Sequence, residues 1–252
     1  MGSTGREAIR ALPRFHVLPE QITGGRVNLD ADQAHKANHV LRLRVGDPLA
    51  VMDGSGDCFV CRVVWIERGN LSAEVLERHT LDTEPASRIH ICQAIAKGDK
   101  LEAVVRSCTE VGASGFTLFE SERCVARWPE ARVVNRLERL RAIARDSAEV
   151  SLRARTPEVG WASDLASAPP ADVPAVLLYE GSNIPLLAEV AGSCDAVAFV
   201  VGPEGGFSDA EVSLARERGW EIASLGPRVL RTEHAAFAAI SGLLALRERA
   251  GR

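Results

Sequence analysis

The chain has 252 residues, 46% hydrophobic and 25% charged, with a net charge of −4, the proportions of a globular protein with room for two domains. No apolar run approaches the roughly eighteen residues of a membrane span, and the opening MGSTGREAIRALPRF lacks the apolar stretch of a secretory signal, so a cytoplasmic location is expected. The mildly acidic balance argues against indiscriminate nucleic-acid binding.

Residues 13–84 read as a first domain of short apolar runs separated by turn signals: GGRVNL, VGDPLAVMDGSGD, CFVCRVVWIERGN and LSAEVLER. Alternation at Val60, Arg62 and Val64 and the DGSGD turn predict a small antiparallel barrel. One helix is expected within it over residues 31–42, where Ala34, Ala37, Val40 and Leu41 keep helical spacing. Cys58 and Cys61 form a C-x-x-C, but strand residues three apart face opposite sides. No second ligand pair follows, so no metal is expected. The cysteines at 58, 61, 92, 108, 124 and 194 fit free thiols in a reducing compartment.

Residues 86–252 change texture. RIHICQAI, GFTLFE, AVLLYE, AVAFVV and EIASL read as strands of near-continuous apolar character, alternating with helices, the pattern of a parallel α/β domain. The first helix carries Leu101, Val104, Val105 and Cys108. A longer one over 130–150 has an apolar stripe of Val133, Leu137, Leu140, Ala144 and Ala148. Residues 162–174 read as a loop. Between Arg123 and Arg155 stand nine arginines against four acids, Glu130, Glu138, Asp146 and Glu149. That is the footprint of a phosphate-binding surface or of a solvated helix face.

Ligands of open parallel sheets bind beyond the carboxyl ends of the strands, and three of these ends carry unusual sequence. They are Tyr179-Glu180-Gly181-Ser182, Val201-Gly202-Pro203-Glu204-Gly205-Gly206-Phe207-Ser208, and Ser224-Leu225-Gly226-Pro227-Arg228-Val229-Leu230-Arg231-Thr232-Glu233. Glycines in the second let the backbone bend and approach a ligand, and Ser208 with Glu211 forms a capping box that starts a helix. The spacing is neither G-x-G-x-x-G nor a Walker motif.

GPEGGFS and SLGPRVLRTEHAA together resemble the signature of the RsmE-type rRNA (uridine-N3)-methyltransferases of the SPOUT superfamily. QAIAKGDKLEAVVRSCTEVGA, FESERCVAR, RFHVLPEQI and HVLRLRVGD are similar to further segments of that family, in order along nearly the whole chain. The chain departs from the family's Glu-Gln-Ser-Gly-Arg run, having Glu149-Val150-Ser151-Leu152-Arg153.

The resemblance implies a trefoil-knotted methyltransferase domain behind a PUA-like RNA-binding domain, a homodimer, and S-adenosyl-L-methionine as cofactor. The cofactor would be held by Leu178, Tyr179, Glu180, Gly181, Val201, Gly202, Pro203, Glu204, Gly205, Gly206, Ser224, Leu225, Gly226, Val229, Leu230, Arg231, Thr232 and Ala235. The implied substrate is small-subunit (16S) rRNA or the assembled 30S subunit. Uridine N3 must lose a proton before it attacks, so a base or a charge-stabilising cation is needed. Arg14, Arg123, Arg228 and Arg231 are the candidate cations, and Glu122 and Glu233 the candidate bases or orienters. Arg231 and Glu233 would equally serve a structural ion pair. RNA contacts are expected from Arg14, Phe15, His16, His39, Arg42, Arg44, Arg132, Arg136, Arg139 and Arg153, with Phe15 the stacking candidate. A ribose 2′-O-methylating relative and a non-catalytic ribosome-assembly factor are the rival readings.

Overall fold

The computed structural model describes residues 3–67, 69–190 and 195–250, which leaves Cys194 outside the described residues. The chain divides into two compact units, Met1–Glu84 with Ala148–Thr156, and Pro85–Ser147 with Pro157–Arg252.

The first unit contains α1 (Ser3–Arg10), β1 (Arg14–His16), β2 (Ile22–Thr23), β3 (Arg26–Leu29), α2 (Ala31–His35), β4 (Pro48–Met52), β5 (Asp57–Glu67) and β6 (Asn70–Thr80). Its sheet runs β1-β4-β5-β6-β3-β2. All pairs are antiparallel except β1 with β4. Register shifts at Val60/Cys61 and Val63/Trp65 are the irregularities that bend a strand and raise its twist. Cys58 and Cys61 face separate apolar clusters. Burial pushes their thiols up to about 11 and about 12, so neither is a ready nucleophile or ligand. Among the described residues no His/Cys/Asp/Glu cluster could hold a metal ion, and no helix is long and apolar enough to cross a membrane.

The helix expected over 31–42 is shorter and irregular. Asp30 caps α2 by accepting from the Gln33 amide at 2.8 Å, but after His35 the chain widens into a π-turn, Lys36–Val40. A π-turn rotates later residues off the α-helical stripe. Ala34 and Ala37 are therefore buried while Val40 and Leu41 emerge to solvent.

Ala148–Thr156 belongs with the first unit, although the sequence boundary leaves it in the second domain. Leu152 and Ala154 pack with Ile9, Ala50, Met52, Cys58 and Leu81. The Glu149 carboxylate accepts from the His16 amide at 2.9 Å and from Lys36 Nζ at 2.6 Å. The buried Arg153 guanidinium pairs with Glu84, whose carboxylate also accepts from the Ala154 amide at 3.0 Å. Such contacts join residues sixty-nine or more places apart and leave no local periodic trace. Leu152, where the resembled family has Gly, takes φ 58°, a left-handed conformation that favours glycine.

The second unit contains β7 (Arg88–Ala94), α3 (Lys100–Glu110), β8 (Gly115–Phe119), α4 (Glu130–Val150, its last three residues counted with the first unit), β9 (Glu158–Trp161), β10 (Ala175–Leu178), α5 (Leu187–Val190), β11 (Ala196–Val201), α6 (Asp209–Glu217), β12 (Glu221–Ala223) and α7 (Thr232–Ala250). Strand β9 and helix α1 were absent from the sequence reading. All six strands are parallel, in the order β12-β10-β11-β7-β8-β9. Every residue of β10 is buried, as a strand covered on both faces requires. From β7 the chain proceeds to β8 on one side, and from β11 to β12 on the other. The topological switch, where ligands of such sheets collect, therefore lies between β7 and β11.

Candidate functional site

At that switch the loops after β10, β11 and β12 meet. A cavity of about 310 Å³ is lined by Leu178 and Glu180, by Val201–Glu204 with Gly206 and Phe207, by Val229–Thr232, and by Lys100 and Ala235. Two neighbouring clefts extend it, one past Tyr179, Ser224, Leu225 and Gly226, the other past Gly181, Pro227 and Arg228. Of the residues proposed from sequence to hold a cofactor, Gly205 alone lines none of these three spaces.

The loops keep their shape for identifiable reasons. Gly206 has φ +66°, and a Cβ there would stand 3.0 Å from Glu180 Oε1. A Cβ on Gly181 would fall 2.4 Å from the Tyr179 ring, and one on Gly202 would press the Phe207 ring at 3.2 Å. The loop after β10 is tied to that after β12 by Leu187 N donating to Ser224 O and Ser224 N to Pro185 O, at 2.9 and 2.8 Å.

Charges gather at one rim. Glu204 Oε1 accepts from Lys100 Nζ at 2.8 Å and from the Lys97 amide at 3.0 Å, and Lys100 Nζ also lies 3.8 Å from Glu233 Oε2. Burial pushes Glu204 up, but the hydrogen bonds from Lys100 and Lys97 outweigh it and hold the carboxyl below its ordinary range. The bond to Glu204 raises the Lys100 ammonium in turn. Lys100 was missed from sequence, where it read as part of a turn before a helix. Glu233 faces this lysine, while Arg231 lines the cavity and is exposed.

The Ser121–Arg123 turn abuts the second loop. The buried Glu211 carboxylate accepts from Ser121 Oγ at 2.8 Å, the Glu122 amide at 2.9 Å and the Ser208 amide at 2.9 Å. It therefore joins this turn to the start of α6. Arg123 Nη1 reaches Gly205 O at 3.3 Å, and a Cβ on Gly205 would meet Arg123 Cβ at 3.1 Å. Gly205 thus makes room for the arginine rather than for a ligand. The Glu122 side chain is exposed beside it. The capping box revealed Glu211 as a helix start, but its grip on a distant turn has no sequence signal.

Several residues expected to touch RNA are placed otherwise. Phe15 is fully buried in the first unit's core and His16 is buried beside it, so neither ring is available to stack on a base. Arg153 is buried against Glu84. Arg14 spends its guanidinium on main-chain carbonyls, with Nε to Glu149 O and Nη1 to Arg10 O, both at 2.6 Å. That is a structural role. His39, Arg42 and Arg44 are exposed, with the His39 ring 4.6 Å from that of His35 and the exposed Val40 and Val45 nearby in sequence. On α4, Arg132, Arg136 and Arg139 are exposed. Arg136 lies over the Trp128 ring at 5.0 Å, and Arg139 pairs with Glu102 at 2.7 Å.

A family model described as an RNA methyltransferase domain matches residues 83–244. A protein of Mycobacterium tuberculosis named ribosomal RNA small subunit methyltransferase E is 34% identical over 247 residues, 93% of this chain and 92% of that one. Its namesake in Bacillus subtilis is 29% identical over 94% of this chain and 92% of its own. Among solved structures, ribosomal RNA small subunit methyltransferase E of Neisseria gonorrhoeae, bound to S-adenosyl methionine, superposes with a TM-score of 0.84 at 28% identity, covering 93% of this chain and 98% of that one.

Proposed function

The chain belongs to the RNA methyltransferase family that includes the ribosomal RNA small subunit methyltransferases E, and from that premise we propose that it methylates N3 of a uridine in small-subunit rRNA with S-adenosyl-L-methionine. The observation that carries the reading is the convergence of the three carboxyl-end loops on one cavity at the sheet's switch point.

The cavity suits this cofactor. Leu178, Val201, Val229, Leu230 and Ala235 offer apolar walls for an adenine, and the glycine-rich loops bring backbone amides and carbonyls close to it. The carboxylates of Glu180 and Glu204 and the cations Lys100 and Arg231 would complement an ammonium and a carboxylate. When bound, S-adenosylmethionine supplies a methyl group on a cationic sulfur, open to in-line attack. Most of the protein's contribution is then positioning. A uridine N3–H must give up its proton, and Glu122 or Glu233 would accept it. Arg123 and Arg231 would offset the charge developing on the uracil oxygens.

The same reading makes the loop tie at Ser224 and the β12-β10-β11-β7 order parts of a trefoil knot. It also makes the first unit, Met1–Glu84 with Ala148–Thr156, a PUA-like RNA-binding domain, and the second, Pro85–Ser147 with Pro157–Arg252, the knotted methyltransferase domain. His39, Arg42 and Arg44 on the first unit and Arg132, Arg136 and Arg139 on α4 are the exposed groups left to meet phosphate. The protein would act as a homodimer in the cytoplasm, on rRNA or the assembled 30S subunit. The test is mass spectrometry of nucleosides from small-subunit rRNA of cells lacking the gene, before and after treatment with protein and cofactor. Restoration of a missing 3-methyluridine is expected. A missing ribose methyl group instead would overturn the choice of target atom.

A further inference from the structure

We infer that Gln93 and Thr232 form a positioning clasp that holds the third cofactor loop onto the second, so that Thr232 acts through its hydroxyl's bond to the protein rather than by touching the cofactor. The inference rests on the cofactor reading of the cavity and adds two residues with a defined task. Gln93, the penultimate residue of β7, is fully buried, a lone amide in an otherwise apolar strand end. Its Nε2 donates to Thr232 Oγ1 at 2.9 Å, and Thr232 Oγ1 donates to the carbonyl of Gly202 at 2.6 Å.

The direction of this relay is fixed by proton count. Thr232 has one hydroxyl proton, and it lies on Gly202 O, so the group facing Thr232 Oγ1 must be a donor. That orients the amide with Nε2 toward Thr232, and Nε2 also approaches the carbonyls of Ala94 and Gly202 at 3.1 and 3.4 Å. Among the described residues the buried Gln93 Oε1 has no hydrogen-bond partner, a cost that an apolar residue at this position would not carry. The donor end is what the site uses.

The relay joins the carboxyl ends of β7 and β11 to the first residue of α7. Pro227–Arg231, immediately before it, is exposed, and Val229 is 78% exposed. At the segment's other end Ser224 Oγ accepts from the Gly226 amide at 3.2 Å. Thr232 therefore anchors the α7 end of the exposed stretch that forms one wall of the cavity. Without its hydroxyl the wall must be ordered when the cofactor arrives, and that ordering weakens binding.

The test compares Thr232→Val, Thr232→Ser, Gln93→Met and wild-type protein by calorimetric titration with S-adenosylmethionine, by melting temperature, and by amide hydrogen exchange of residues 226–231 without ligand. Thr232→Val removes both hydrogen bonds of the hydroxyl and frees the exposed stretch, whose ordering on binding should raise Kd about tenfold. It should speed exchange in 226–231 and lower the melting temperature by a few degrees, because the buried Gln93 amide loses its acceptor. Thr232→Ser, which keeps the hydroxyl, should restore binding to within about twofold. If Thr232→Val binds like wild type, or Thr232→Ser is as weak as Thr232→Val, the clasp is wrong. Should Thr232→Val fail to fold, Gln93→Met decides: weaker binding with intact melting supports the clasp, and unchanged binding overturns it. A wild-type protein that does not bind S-adenosylmethionine sinks the cofactor reading instead, and the exchange rates of 226–231 still judge the clasp.

Discussion

Replacing Glu211 tests whether one carboxylate holds the Ser121–Arg123 turn against the second loop. It accepts three hydrogen bonds, from Ser121 Oγ, the Glu122 amide and the Ser208 amide, all between 2.8 and 2.9 Å. If Glu211 served only as the capping partner of α6, truncation would cost about 1 kcal/mol. Glu211→Ala instead strands two buried donors, Ser121 Oγ and Ser208 N, and a third that is partly buried. At about 1–3 kcal/mol for each buried orphan, and less where water can enter, the loss should be roughly 3–5 kcal/mol. Glu211→Gln keeps the size but offers one acceptor atom and turns an amide toward a donor, so roughly 1–2 kcal/mol should go. Urea unfolding followed by circular dichroism measures both. A loss below about 1 kcal/mol for Glu211→Ala would reduce the residue to a helix cap and refute the cross-link to the turn.

Three further outcomes are expected. Gly206→Ala forces a side chain into φ +66° with its Cβ 3.0 Å from Glu180 Oε1. Calorimetry should show S-adenosylmethionine binding weakened by about 1–2 kcal/mol, and unchanged affinity would mean that the loop has another shape when bound. Leu152→Gly relieves a left-handed backbone at φ 58° by about 1 kcal/mol. It also removes a side chain buried among Ile9, Met52 and Leu81, worth roughly 2–5 kcal/mol. The variant should therefore unfold at lower urea, and a stabilised variant would show that packing there is loose. Burial, reinforced by Arg88, holds His90 at about 4 against an ordinary 6.5. The unfolded chain takes up this proton first as pH falls, so stability is complete above about 6.5 and declines toward 4, by roughly 3 kcal/mol in all. The difference in unfolding free energy between pH 7.5 and 4.5 should shrink by about 2.5 kcal/mol in His90→Asn, and an equal difference in both proteins would remove His90 as the cause.

The sequence alone determined the texture of the two regions, the parallel character of the second sheet, the amphipathic stripe of α4 and the segments that meet at the cavity. Each of these is written in local terms. Runs such as AVLLYE and AVAFVV must be covered on both faces, and the GPEGG and LGPRVLRTE segments announce loops by their glycines and prolines. What only the tertiary structure decided is which polar groups those loops bring together. Lys100 reads as the end of a turn until Glu204 and Glu233 are folded onto it. Gln93 looks like a misplaced amide in a strand until Thr232 arrives from the far end of the domain. Arg14 and Phe15, adjacent in an arginine-aromatic pair that suggested RNA, alternate across β1. One is tied to carbonyls and the other buried in the core. Burial and many of the hydrogen-bond partners are set by residues distant in sequence, and periodicity records only a residue's near neighbours. It predicts which face is covered, not which charge is taken.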